Sequence, residues 1–219
     1  MTKIILDLCG GTGAWSNPYK KAGYDVRVIT LPDYDVEKFR ISAYQLSFIK
    51  LNTRKDRLLY TDFYFKDIYG ILAAPPCTEF SFARTNAKNP RNLMNGMDLV
   101  NACLKIIWAC QYHLKKDTQK KPPLKFWALE NPNGMLKFFL GKPAYQFNPY
   151  DLGDNYKKNT YLWGWFNEPK KNPIKCTMPK FDKMASKDIH PEQFGKLTRQ
   201  ERRAITPQGF AKAFFKANQ

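Results

Sequence analysis

Three short stretches bring residue types that do chemistry to the ends of apolar runs. The first is Ala74-Pro75-Pro76-Cys77-Thr78-Glu79-Phe80-Ser81, where a thiol follows a proline pair. Ile71, Leu72, Ala73 and Ala74 form an apolar run of the kind a buried strand uses. Neither proline can donate a ladder hydrogen bond, so the run stops there. Cys77 is expected on the rim of a sheet, at the start of a loop, where a thiolate can serve as a nucleophile. The competing reading is a packed, unreactive thiol. The second stretch is Phe126-Trp127-Ala128-Leu129-Glu130-Asn131-Pro132, in which four apolar residues deliver a carboxylate suited to acid or base work. Its alternative is an acid capping a helix over 133–140. The third is Asp7-Leu8-Cys9-Gly10-Gly11-Thr12-Gly13, a strand that runs into a glycine turn and then a helix over 14–22.

The elements that position these groups follow from pattern. A strand, glycine turn and helix open a nucleotide-type α/β unit. Glycines let the backbone approach a ligand closely, and the amides of a helix start favour anions. The spacing is neither the dinucleotide G-x-G-x-x-G nor a P-loop. It suits the D-x-x-x-G-x-G turn of S-adenosylmethionine enzymes, the alternative being a turn with no ligand. In an open parallel sheet the carboxyl ends of the strands share one edge, where ligands bind. Glycine cradle, thiol and carboxylate are therefore expected in one crevice.

The rest of the chain reads as follows. Residues 24–31 form a second strand, and Asp33, with Asp35 close behind, is the acid placed to meet ribose hydroxyls. Residues 36–50 are expected as a basic helix carrying Phe39, Ile41, Leu46 and Ile49. Leu58-Leu59-Tyr60 reads as a short third strand ending at Thr61-Asp62-Phe63. Residues 95–116 are the clearest helix, with Met97, Val100, Leu104, Ile107, Trp108 and Gln111 on its periodic face and Cys103 in the core. Tyr156-Lys157-Lys158-Asn159-Thr160 leads into an apolar strand ending near Gly164. Residues 1–164 thus read as the main domain and 165–200 as a small loop-rich appendage. The remainder, 201–219, is a returning helix that starts at Thr206-Pro207 and buries Phe210, Ala213, Phe214 and Ala217.

Composition narrows the class. A chain of 219 residues with 43 % hydrophobic content can bury a real core as one domain. No apolar run reaches the roughly 18 residues of a membrane span. Cys9, Cys77, Cys103, Cys110 and Cys176 show no paired metal spacing, so no metal is expected, Cys176 and His190 included. With no leader pattern at the N-terminus, the expected setting is a reducing cytoplasm, that of a host cell for a viral protein. The net charge of +17, beside twelve tyrosines and five tryptophans, points to a polyanion partner.

In order and type, these blocks resemble the cytosine-5 DNA methyltransferases, in particular short phage-type members. Asp7 to Gly13 resembles the family's first cofactor motif and Pro75-Pro76-Cys77 its nucleophile loop. Glu130-Asn131-Pro132 resembles its Glu-Asn-Val motif, and 206–215 its closing helix. The resemblance implies a Rossmann-like S-adenosylmethionine-dependent methyltransferase sheet with helices on both faces. It implies Cys77 as the nucleophile and Glu130 at N3 and the exocyclic amine of the target cytosine. Asp7 belongs to the cofactor motif, and Cys9, Gly10 and Gly13 would line S-adenosylmethionine. Trp15 would stand at the methionine end, Asp33 at the ribose, Asp62 with Phe63 at the adenine, and Pro75 beside the adenine. The family's Gln-x-Arg-x-Arg motif is replaced by residues 156–160, where Lys158, then Lys157, is the expected contact to the target base or a phosphate. The target-recognition region is short, so sequence specificity is either low or shared with the loop 82–95.

Double-stranded DNA is the expected substrate, RNA its rival, and no membrane partner is expected. Methylation at N4 or N6 is disfavoured because Ala74 precedes the prolines and Cys77 takes the place of an aromatic residue. A catalytically inactive nucleic-acid-binding module is the competing class.

Overall fold

Every residue of strand β1 (Ile4–Leu8) is buried, which requires that both faces of its sheet be covered. A computed structural model, describing residues 3–51, 59–82, 84, 89–118, 124–177 and 195–219, shows how this is done. β1 pairs in parallel with β2 (Asp25–Ile29) on one side and β6 (Ile68–Ala73) on the other. β6 pairs in parallel with β7 (Phe126–Pro132). β9 (Thr160–Trp165) lies antiparallel to β7, and β8 (Tyr145–Phe147) antiparallel to β9. The order is β2-β1-β6-β7-β9-β8.

Strand alternation sends successive side chains to opposite faces. On one face Leu6, Leu8, Ile71, Ala73, Leu129 and Trp163 pack with Val100, Cys103, Ile106 and Ile107 of helix α2 (Leu93–Thr118). On the other, Ile5, Leu72, Phe126, Ala128 and Leu162 meet Trp15, Tyr19 of α1 (Asn17–Lys21), and a C-terminal helix. That helix is Gln208–Ala217, the last of five among the described residues, after α3 (Lys137–Leu140) and α4 (Arg199–Ala204), and is called α5. Phe210 of α5 stacks on Phe147, with centroids 4.3 Å apart, and Phe214 lies 5.4 Å from Trp15. Pro207 caps α5 from just outside it, and the Gly209 N–H donates to Asp154 Oδ2 at 2.8 Å. The expected α/β class is observed: a mostly parallel mixed sheet with helices on both faces, compatible with a Rossmann-like arrangement.

Residues 36–50 correct the sequence reading. They are not a helix but most of β3 (Tyr34–Ile41) and all of β4 (Gln45–Lys50). With β5 (Leu59–Tyr64) these strands form a separate antiparallel sheet. Val36, Phe39, Ile41, Phe48 and Ile49 are residue types that suit a pleated, half-buried surface. The register shifts between Tyr34 and Phe39, which breaks the period-two alternation and leaves a spacing that mimics a helix. The expected third strand therefore does not end at Thr61-Asp62-Phe63, nor does it join the parallel sheet. Leu58 lies outside the described residues. Trp108, expected on the buried face of α2, is half exposed.

The described part of 165–177 is irregular, as expected, but it is strapped to the main body. Tyr145 donates to the Pro169 carbonyl, and the Asn172 and Ile174 amides donate to the Asp151 and Tyr150 carbonyls, at 2.8–2.9 Å. Among the described residues no helix is long and apolar enough to cross a membrane.

A Cβ on Gly70 would lie 2.2 Å from the ring of Phe126, itself held between Tyr19 and Phe214. Gly70→Ala is expected to lower the unfolding free energy in urea by about 1–3 kcal/mol. Combining it with Phe126→Leu should cost less than the sum of the two single variants, because the smaller side chain removes the clash.

Candidate active site

The chain leaves β1 for β2 on one side and later returns through β6 on the other. Strand order thus reverses between β1 and β6, the place where an open α/β sheet has a crevice at its carboxyl ends. The glycine turn forms one wall. Cys9, Gly11 and Gly13 have φ of 56°, 55° and 69°, and the Gly13 amide donates to the Gly10 carbonyl at 2.9 Å. Glycine tolerates such angles without strain, whereas Cys9 is a side-chain-bearing residue held there. Its amide donates to the Ile29 carbonyl at 2.8 Å, and the Ala74 amide donates to the Leu8 carbonyl at 2.9 Å. The turn is therefore tied to both neighbouring strands.

Asp7 is sealed beneath this turn. A Cβ on Gly10 would stand 2.4–2.6 Å from its carboxylate, so glycine is required above it. Ser16 Oγ donates to Asp7 Oδ2 at 2.5 Å, while Oδ1 has no partner among the described residues. Burial pushes the carboxyl from 3.8 up to about 6, with the Ser16 hydrogen bonds pulling the other way. Above Gly11 a Cβ would meet nothing within 4 Å. A backbone cradle open on one side and braced by an acid on the other fits a small ligand that approaches the main chain closely.

The other wall is built from the ends of β6 and β7. Pro75 is buried, and its carbonyl accepts a hydrogen bond from Asn131 Nδ2 at 2.9 Å. The Phe80 and Ser81 amides donate back to the Cys77 carbonyl at 3.0 and 2.8 Å, curling the chain into a turn. That turn is pinned to the chain beyond β7: the Met135 amide donates to the Phe80 carbonyl at 2.8 Å, and Ser81 bridges Gly134. Arg91 donates to the Glu79 and Ser81 carbonyls at 2.8 Å each. The Glu79 carboxylate accepts from the Asn92 amide at 2.7 Å and pairs with Arg84. These donors hold Glu79 below the usual range.

Within that frame four charged or ionisable side chains act on one another. Burial raises the Cys77 thiol, and the Glu130 carboxylate raises it further, while Lys158 and Arg203 lower it. Burial also raises the Glu130 carboxyl, against Lys158, which lowers it. Tyr156 is buried close enough to Glu130 and Asp154 for their charges to raise its phenol. Lys158 Nζ donates to the Arg203 carbonyl at 3.2 Å, linking α4 to the site. A thiol able to become a nucleophile and a carboxyl biased toward its neutral form share one cationic neighbour.

The expected site residues divide accordingly. Cys77, Glu130 and Lys158 lie within electrostatic reach of one another. Pro75 follows the carboxyl end of β6 and Cys9, Gly10 and Gly13 follow that of its neighbour β1, and Lys157 is exposed. Asp33 is exposed just past the end of β2, on the same edge. Asp7 supports the turn rather than lining it. Trp15 is 1 % exposed, inside the aromatic core against Phe210 and Phe214. Asp62 and Phe63 lie within β5 of the antiparallel sheet rather than at a rim of the parallel one, because β3, β4 and β5 pair among themselves. Phe63 is buried against Phe48, 6.0 Å away. Residues 83 and 85–88 of the loop 82–95, and His190, lie outside the described residues. Sequence reasoning missed Asn131, Ser16, Tyr156 and Arg203 as site residues. A signal existed for Asn131, adjacent to Glu130 at a strand end, and for Ser16, next to a helix start.

Two expectations follow. Asn131→Asp keeps the volume but loses the donor to Pro75, and should lower the unfolding free energy by about 1–3 kcal/mol. The loss should be larger at pH 8 than at pH 5, since a buried carboxyl is tolerated better protonated; urea titrations at the two pH values decide it. Lys158→Gln should move the alkylation profile of Cys77 to higher pH and Glu130→Gln to lower pH, read by iodoacetamide labelling and peptide mass spectrometry. Opposite or absent shifts would show that these charges do not act on the thiol. Among known proteins, no family model matches this chain and no curated sequence is similar to it.

Proposed function

We propose that this chain transfers a methyl group from S-adenosylmethionine to C5 of cytosine in DNA, with Cys77 as the nucleophile. The observation that supports the reading is the mutual influence of the Cys77 thiol, the Glu130 carboxyl and Lys158 at the ends of β6 and β7, one strand from the reversal between β1 and β6. The glycine turn stands on the next strand. C5 of cytosine is a weak nucleophile, so the ring must first be activated. The Cys77 thiolate forms a bond to C6, and the C5–C6 π electrons shift toward C5 and the ring nitrogen. Glu130, biased by burial toward its protonated form, gives N3 a proton and leaves C5 enamine-like. Lys158 and Arg203 favour the attacking thiolate. When bound, S-adenosylmethionine would supply an electrophilic methyl group, its sulfonium S–CH3 bond breaking to leave the thioether S-adenosylhomocysteine; the backbone of Cys9, Gly10, Gly11 and Gly13, with Asp33, would hold it. After C5 has gained its methyl, a base removes the C5 proton, the C5–C6 double bond re-forms and the S–C6 bond breaks. Cys77 leaves as thiolate, and the N3 proton returns to Glu130. A duplex hides C5 and C6, so the base must leave the stack, at a cost of a few kcal/mol.

Incubation with DNA carrying 5-fluorocytosine and S-adenosylmethionine should trap a denaturation-resistant adduct, because fluorine cannot leave C5 as a proton does. Cys77→Ser should form none. With labelled cofactor and natural DNA or RNA pools, the wild type should yield 5-methylcytosine from DNA. No adduct and no methylated nucleoside would leave an inactive module; product from RNA alone would change the substrate, and N4- or N6-methyl products would remove the mechanism.

A further inference from the structure

Phe82 and Phe138 stand in water beside the Cys77 loop, 46 % and 70 % exposed. Single exposed apolar side chains are ordinary, but these two share a cation. The Lys137 ammonium lies 5.6 Å from the Phe82 ring centroid and 5.4 Å from that of Phe138, within cation–π reach. The rings come from different parts of the chain and are held together by backbone. Ser81, just before Phe82, donates its amide to the Cys77 carbonyl at 2.8 Å and bridges Gly134. Half-exposed Phe139 of α3 touches the same loop, its ring 6.2 Å from buried Phe80. The aromatic pair and its lysine are therefore one turn of chain from the nucleophile.

Aromatic faces beside a cation match an unstacked nucleobase and its phosphate, the combination by which single strands are gripped. The +17 charge of the chain makes a polyanion the complementary occupant. When one base leaves a duplex, its neighbours lose a stacking partner, and an exposed ring can replace it. We propose that Phe82, Lys137 and Phe138 form a stacking platform for the DNA base next to the extruded cytosine, with Lys137 on the adjoining phosphate. The inference rests on the methyltransferase reading for the identity of its substrate.

The probe is a fluorescent duplex with cytosine opposite an abasic site and 2-aminopurine as its neighbour, titrated at several salt concentrations. Phe82→Ala and Phe138→Ala are each expected to weaken binding about tenfold while leaving the slope of log K against log salt unchanged. Lys137→Gln should reduce that slope by about one. Phe138→Leu should lose as much as the alanine variant, since it keeps apolar bulk but no ring. The 2-aminopurine signal should respond to the wild type and much less to the ring variants. Tyr44→Ala, which removes an exposed aromatic ring between β3 and β4 of the separate antiparallel sheet, is the control and should bind like the wild type. Unchanged affinity in the ring variants, or recovery with leucine, would overturn the platform. Adduct formation on 5-fluorocytosine DNA separates the two readings. Adducts formed while the ring variants bind normally sink the platform alone. Ring variants that bind weakly, in a protein that forms no adduct, support the platform and sink the methyltransferase reading.

Discussion

The buried hydrogen bond from Asn131 to the Pro75 carbonyl solves a conflict that the sequence of the site creates. The β6–β7 ladder runs in register to Ala73 and Leu129 and then meets two prolines, which cannot donate. A strand end released there would let the Cys77 loop swing. It would also leave a buried carbonyl without a partner, at a cost of about 1–3 kcal/mol. Asn131 replaces the missing backbone donor with a side-chain one, so the strand ends as a ladder yet stays fixed as a structure. Because Glu130 precedes Asn131 and Cys77 follows Pro75 by two residues, this one bond sets the offset between the thiol and the carboxyl.

The same logic explains why the loop after Cys77 is so heavily tied. Glu79, Arg84 and Arg91 spend their charges on backbone groups and on one another rather than on solvent. Gly134 is required where the loop crosses: a Cβ there would lie 2.4 Å from the Phe80 carbonyl oxygen. A nucleophile carried on a loop can only be positioned if the loop behaves as part of the scaffold, and here the scaffold is extended to it from both β7 and the start of α2.

The parts of the molecule legible in the sequence are those governed by local rules. Glycine turn, proline stop and apolar run placed β1, β6 and β7 and hence Cys77 and Glu130 on one edge, because punctuation and period act within a few residues. The strand at Leu59-Tyr60 was read from its apolar run, but residues 34–50 were illegible for the opposite reason. Their pairing is with one another across turns, and a register shift erased the alternation that would have announced strands. The burial of Trp15 was not legible, because a glycine turn says where a helix starts but not that Phe210 and Phe214, some two hundred residues later, will close over it. Arg203 acts only through partners that folding supplies, so no spacing marks it, whereas Asn131 was marked by its place beside Glu130 at a strand end.

Electrostatics then asks two opposite things of one buried place. Removing water disfavours both charged forms, which suits a carboxyl that must carry a proton and hinders a thiol that must lose one. Lys158 does not resolve this, since it lowers both groups. Arg203 adds a second cation that lowers the Cys77 thiol, the smallest of the influences on it. The guanidinium is brought there by α4, whose own position is fixed to the site through the Lys158 bond to the Arg203 carbonyl. The C-terminal segment therefore does more than cover the aromatic core. It brings a second positive charge to the thiol, against the burial that raises both groups.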